Sequence, residues 1–200
     1  MKVVAITQRV VLVPERAERR DCLDQAWSRF LAACGLLPLP LPNVAEAALA
    51  LCERLEVGGL VLSGGNDLAT LGGDAPERDA VEAALLALAE RRALPVVGVC
   101  RGMQVIQQRF GVALRRVEGH VTACQTIDVE GEPRQVNAYH RFAAFEAGAP
   151  LACWAVAADG VVKAVRHDTL PLTGIMWHPE RSSPFAAEDI ALFRRVFQAS

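Results

Sequence analysis

The stretch PVVGVCRGMQVIQQRF, residues 95–110, sets an apolar strand-like run against a helix-like one with a single cysteine between them. A chain turns that fast from strand to helix only where neighbouring backbone passes close by. Gly98 and Gly102, two residues either side of Cys100, leave that room. A strand feeding directly into a helix is the unit of a parallel sheet. The chain before it repeats the pattern. The apolar runs KVVAIT (2–7) and GGLVLSGG (58–65) alternate with helix-like stretches at 21–35, 44–56 and 78–92. In the first of these, Leu23, Trp27, Phe30 and Leu31 fall at helical spacing and Gly35 stands at the C-terminal cap position. Between it and the next, LLPLPLPN (36–43) reads as an extended connection, because proline disfavours helix in the residue before it. Continuous hydrophobic runs mark strands buried on both faces.

After Gly111 the texture changes to short strand-like runs at 121–129, 134–139, 152–158, 160–165 and 172–177, separated by Gly, Pro and Asp. A last helix is expected from Pro184, with Ser183 as its N-cap. The reading is one α/β domain over residues 1–200, with a mostly parallel sheet flanked by helices and a strand-rich second half.

Composition removes several function classes. A net charge of −2 leaves no footprint for nucleic acid or an anionic membrane. No apolar run approaches the ~20 residues of a bilayer span, and MKVVAITQRV does not read as a signal peptide. The six cysteines (22, 34, 52, 100, 124 and 153) form no CxxC pair and no Cys/His cluster at metal-ligand spacing. No metal or cofactor is expected, and a reducing, cytoplasmic setting fits. Five of the six read as small buried hydrophobes.

Cys100 is the exception. Held between strand and helix, it stands over a helix N-terminus whose partial positive charge favours thiolate. The following amide, of Arg101, is free to stabilise a developing oxyanion. A thiol nucleophile needs a base, and the base an orienting group. In GIMWHPE (174–180) His178 ends an apolar strand and Glu180 follows two residues later, on the same side of extended backbone. A second glycine turn, VLSGGND (61–67), offers the Gly65 amide as the other oxyanion donor.

With Cys100, His178, Glu180 and the Gly64-Gly65 turn in place, the chain resembles class I glutamine amidotransferase-like hydrolases, and within them the peptidase C26 branch of γ-glutamyl hydrolases. GVCRGMQ matches that branch's elbow and MWHPE its His-Pro-Glu ending. The resemblance implies a flavodoxin-like sheet, attack by Cys100 on a γ-glutamyl carbonyl, release of an amine, and thioester hydrolysis. It further implies that Gln104 contacts the glutamyl group. It assigns the α-amino and α-carboxylate ends to VNAYHRF (136–142), with Asn137, Tyr139, His140 and Arg141, where Arg141 replaces the family's histidine or serine. A narrower likeness, carried by ITQR, ERRDCLDQAW, LSGGNDL and GIMWHPER, is to the γ-glutamyl-CDP-amidate hydrolases of surface-polysaccharide clusters. That likeness implies CDP-L-glutamine as substrate, with glutamate and cytidine diphosphoramidate as products. Arg9, Arg16, Arg19, Arg20, Arg101, Arg141 and Arg181 lie near these segments, and guanidinium suits phosphate. Competing readings are a glutaminase subunit feeding ammonia to a separate synthetase, a γ-glutamyl hydrolase of another amine, and a non-catalytic binding protein. A homodimer is also open. The Cys-Arg-Gly elbow favours the hydrolase, since many glutaminase subunits carry an aliphatic residue where Arg101 stands.

Overall fold

The computed structural model describes residues 1–198. Its strands are β1 (Lys2–Ile6), β2 (Arg9–Val13), β3 (Glu18–Cys22), β4 (Leu36–Pro40), β5 (Leu60–Leu62), β6 (Val96–Val99), β7 (Arg115–Arg116), β8 (Val121–Val129), β9 (Glu132–Tyr139), β10 (Phe142–Ala143), β11 (Leu151–Ala157), β12 (Val162–His167) and β13 (Leu172–Ile175). Its α-helices are α1 (Gln25–Ala33), α2 (Ala45–Arg54), α3 (Pro76–Arg92), α4 (Arg101–Arg109) and α5 (Ala187–Phe197). Among the described residues the main sheet has nine strands in the order β4-β1-β5-β6-β13-β12-β11-β8-β9. From β4 to β13 the neighbours run parallel, and from β13 to β9 antiparallel. This is the α/β fold that the alternation of apolar strand and helix foretold.

The strands alternate between two buried layers. On β5, Leu60 and Leu62 face one and Val61 the other. Phe30 of α1 and Phe193 of α5 meet edge to face at 4.8 Å over the side of Val4, Val61 and Val97. The opposite side is covered by Cys52 of α2, Leu85 of α3 and Ile106 of α4. Both layers therefore converge on β5 and β6, whose C-terminal ends carry the glycine turns.

Four local expectations need correction. The segment 36–43 is not a mere connection: Leu36–Pro40 is a parallel edge strand beside β1. Its prolines are tolerated because an edge strand needs donors on one side only. The first helix starts at Gln25, because Asp24 accepts a hydrogen bond from the Ala26 amide and Asp21 and Cys22 belong to β3. That strand pairs with β2 in a hairpin. The last helix starts at Ala187 rather than Pro184. Phe185 is drawn onto Phe30 at 5.3 Å, and Glu188 and Asp189 then fill the acid-favouring first turn. Of the cysteines expected to be buried, only Cys34 and Cys52 are; Cys124 and Cys153 are exposed and Cys22 is half-buried.

Candidate active site

Cys100 occupies the turn between β6 and α4 with φ +52° and ψ −103°, a conformation that non-glycine residues adopt only when the surroundings impose it. Its amide donates to the Ile175 carbonyl at 2.7 Å, and its carbonyl accepts from the Gln104 amide at 3.1 Å. The flanking glycines are required by space. A Cβ on Gly98 would lie 2.5 Å from the Gly102 carbonyl carbon, and one on Gly102 would collide with the Leu62 carbonyl.

β13 runs parallel to β6 with Gly174 opposite Gly98 and Ile175 opposite Val99, so the chain leaving β13 reaches the elbow. There His178, buried, places Nδ1 2.8 Å from Oε1 of Glu180. The pairing arises not from extended backbone but from a 3-10 turn over Pro179–Arg181 that folds Glu180 back under the ring. Asn137 of β9 fixes the backbone beneath: its Nδ2 donates to the His178 carbonyl and its Oδ1 accepts from the His178 amide, both at 2.8 Å. Both ends of that side chain are thereby committed to His178. Gly64 closes over the other face of the ring, where a Cβ would come within 2.6 Å of Cε1. Burial pulls the imidazole's pKa down, but hydrogen bonds to Cys100 and Glu180, with their charges, outweigh it and raise it to about 9. The ring is therefore protonated at neutral pH.

The glycine turn after β5 is held from below by α3. Arg78, fully buried, donates to the carbonyls of Ser63 (2.7 Å), Gly64 (3.1 Å) and Gly65. Its Nε donates to Glu82 at 3.1 Å. The other Glu82 oxygen accepts from Arg101, whose guanidinium also binds Asp79. Thr7 adds a hydroxyl donated to Glu82 at 2.8 Å. Engaged on their carbonyl side, the 63–66 peptides present the opposite side elsewhere, and Gly65 takes φ +87°. Asn66 reaches the other way, accepting from the Val10 amide (2.8 Å) and donating to the Val10 carbonyl (3.0 Å), which pins the β2–β3 hairpin. Neither Arg78 nor Glu82 was singled out from sequence; their i,i+4 spacing on α3 was the available signal.

Two clefts meet at Gly65. The larger, about 340 Å³, is lined by Cys100, Arg101, Gln104, Tyr139, His140 and Arg141, among others. The smaller, about 50 Å³, is lined by Arg9, Asp24, Gly64, His178, Glu180 and Arg181, among others. Every residue expected at the site except Asn137 lines one of the two. A larger cavity, about 650 Å³, lies away from them, lined by residues of α5 and of β8, β9, β11, β12 and β13. Gln104 Nε2 donates to the Phe142 carbonyl at 2.9 Å. His140 has both ring nitrogens engaged, with Phe142 O at 3.2 Å and Lys163 Nζ at 2.8 Å. Of the clustered arginines, Arg19 and Arg20 pair with Glu77 and Glu18, and the Arg101 side chain lies in the buried network. Arg9 and Arg181 border the smaller cleft. Arg181 lies 5.0 Å over the Tyr139 ring, with Nε 3.5 Å from Glu180.

Residues 2–122 and 119–180 match the family described as Peptidase C26. The chain belongs to the Peptidase C26 family. Among its relatives, this C26 protein is 29% identical over 185 residues to a gamma-glutamyl-CDP-amidate hydrolase of Campylobacter jejuni, a match covering 90% of each chain. It is 29% identical over 139 residues to a chain of the glutamine-hydrolyzing GMP synthase of Methanococcus aeolicus, covering 65% of this chain and 68% of that one. A glutamine amidotransferase of Thermotoga maritima shares the fold, with a TM-score of 0.68 at 15% identity over 98% of this chain and 84% of that one. The family and its named members support hydrolysis of an amide bond. Among the described residues, no helix is long and apolar enough to cross a membrane.

Proposed function

We propose that this C26 protein is a γ-glutamyl hydrolase in which Cys100, His178 and Glu180 form the catalytic set. Its substrate in this reading is CDP-L-glutamine, cleaved to glutamate and cytidine diphosphoramidate for phosphoramidate decoration of a surface polysaccharide. The observation that carries the reading is the division of the site at Gly65, with Cys100 in one cleft and His178 in the other. A scissile amide lying between sulfur and imidazole puts its acyl part on the Cys100 side and its amine part on the His178 side.

The chemistry follows from that placement. The Cys100 sulfur attacks the γ-carbonyl carbon, and the oxyanion accepts hydrogen bonds from the Gly65 and Arg101 amides. His178 Nδ1 is held by Glu180, so Nε2 is the working nitrogen. It gives its proton to the leaving nitrogen as the C–N bond breaks, leaving a glutamyl thioester on Cys100. Water entering by the vacated amine side gives a proton to Nε2 and attacks the thioester. The C–S bond breaks, releasing glutamate and restoring the thiolate. Gln104, Tyr139, His140 and Arg141 form the wall for the glutamyl part, and Asn137 acts on it indirectly by fixing His178.

Arg9 and Arg181 give the amine side two cations for a diphosphate. A charge-assisted hydrogen bond is worth about 1.5–3 kcal/mol, so Arg9→Ala is expected to raise KM for CDP-L-glutamine roughly ten- to a hundredfold. KM for glutamine, whose leaving group is ammonia, should stay within about twofold of wild type by the same arithmetic. Steady-state glutamate release from glutamine, γ-glutamyl-aminobutyrate, folate polyglutamate and CDP-L-glutamine tests the assignment. Strong turnover of the nucleotide conjugate, weakened selectively by Arg9→Ala, is the expected result. Turnover of glutamine alone would instead indicate a glutaminase that serves a separate synthetase, and turnover of another conjugate alone a different amine.

A further inference from the structure

Lys163 on β12 interrupts the apolar run GVVKAV, is 1% exposed, and among the described residues makes no ion pair with a carboxylate. Its ammonium donates to Nδ1 of His120 at 2.9 Å and to Nε2 of His140 at 2.8 Å. Those two bonds fix both tautomers. His120 Nε2–H then donates to Asp159 at 2.9 Å, and His140 Nδ1–H to the Phe142 carbonyl at 3.2 Å. The two rings stack with centroids 4.9 Å apart and 17° between planes, and the His140 amide donates to the His120 carbonyl at 3.0 Å. Burial, then the charge of Lys163, pushes the His140 pKa down to about 3, so the positive charge stays on the lysine.

The place of this cluster in the fold gives it a use. His120 immediately precedes β8 and His140 immediately follows β9, so Lys163 clasps the open end of that hairpin. The adjoining Val121 and Tyr139 line the Cys100 cleft, as does His140 itself. The Phe142 carbonyl that accepts from His140 also accepts from Gln104, which ties the clasp to α4, the helix that follows Cys100. The nearest carboxylate partner in this chain of contacts, Asp159, is one imidazole away and half exposed. A buried cation thus stands directly behind the cleft wall with no carboxylate of the described residues in contact with it.

We propose that Lys163 is a positioning residue for the glutamyl half of the substrate, clamping the wall formed by Val121, Tyr139 and His140 and supplying the positive field that the substrate's α-carboxylate answers. This rests on the γ-glutamyl reading above. The titratable groups facing Lys163 are His120 before β8, His140 after β9, Asp159 in the β11–β12 turn and Cys100 at the elbow. Burial lowers the lysine pKa to about 8, while the charges of Asp159 and Cys100 oppose the fall. The field is therefore present below about pH 8 and lost above it.

Calorimetric binding of L-glutamate and of its α-carboxamide counterpart, isoglutamine, to the full chain from pH 6.5 to 9.5 is the test. Wild type should favour glutamate by roughly tenfold or more below pH 8, with a preference that steps down above it to what Arg141 on the same wall supplies. Lys163→Met should show only that smaller preference, without the pH step. Asp159→Asn, at an exposed position in the β11–β12 turn, removes the charge that holds the lysine up and should move the step to lower pH. A preference for glutamate undiminished in Lys163→Met, or a step unmoved in Asp159→Asn, overturns the proposal while leaving the hydrolase reading intact. Wild type that binds neither ligand and hydrolyses no γ-glutamyl amide overturns both.

Discussion

Cys100→Ala is expected to lower glutamate release by a factor on the order of 10⁴ to 10⁶, the loss seen when a member of a nucleophile–base pair is removed. The substitution also reports on its neighbour. His178 is buried, which by itself lowers its pKa, and the Cys100 and Glu180 partners are what raise it to about 9. With the sulfur gone, the imidazole should titrate at lower pH than in wild type, measurable from its ring-proton NMR shifts. In wild type, kcat/KM should fall as pH rises through about 9, because the free enzyme's ring then has no proton for the leaving amine. The same linkage acts on the fold. The folded value lies above the ordinary 6.5, so this contribution to stability is complete below pH 6.5 and disappears as pH rises to about 9. An unchanged imidazole titration in Cys100→Ala would contradict the coupling.

Glu82→Gln is expected to destabilise the protein by about 3–5 kcal/mol, because breaking a buried ion pair leaves uncompensated charge. Glu82 is the fully buried carboxylate between Arg78 and Arg101, and the remaining acid, Asp79, is partly exposed. The change keeps side-chain volume and removes only the charge, so packing loss cannot imitate the result. Urea unfolding followed by far-UV circular dichroism measures it, with the midpoint shifted down and the slope retained. Turnover should fall as well, since Arg78 holds the carbonyls of Ser63, Gly64 and Gly65 and Arg101 follows the nucleophile. A loss below about 1 kcal/mol, the scale of a surface pair, would show that the network is not what secures the two turns.

What was legible in the sequence was what is local in the chain. The Gly98-to-Gly102 spacing and the apolar run before it write their geometry within a few residues; the His-x-Glu step wrote the pairing but not its geometry, which a 3-10 turn supplies in place of extended backbone. What escaped was written across long separations. Arg78 and Glu82 look like the charged side of an amphipathic helix, and only folding places them under the turn at 63–65 and against Arg101. Lys163 breaks an apolar strand, but its meaning depends on two histidines, 43 and 23 residues away. The β2–β3 hairpin was hidden because a two-stranded ribbon with an exposed, charged second strand has no buried face to pattern. Asn137 sits in the expected segment, yet its side chain serves the His178 backbone, a contact no motif encodes.

The central claim is that Cys100 carries the glutamyl group between release of the amine and release of glutamate. Acid quenching of wild type during turnover of CDP-L-glutamine, followed by peptide mass mapping, tests it most directly. The account predicts a glutamyl adduct on the peptide bearing Cys100, present only while substrate remains and absent from Cys100→Ala. Glutamate release by Cys100→Ala at the wild-type rate, with no adduct on the wild-type peptide, would contradict it.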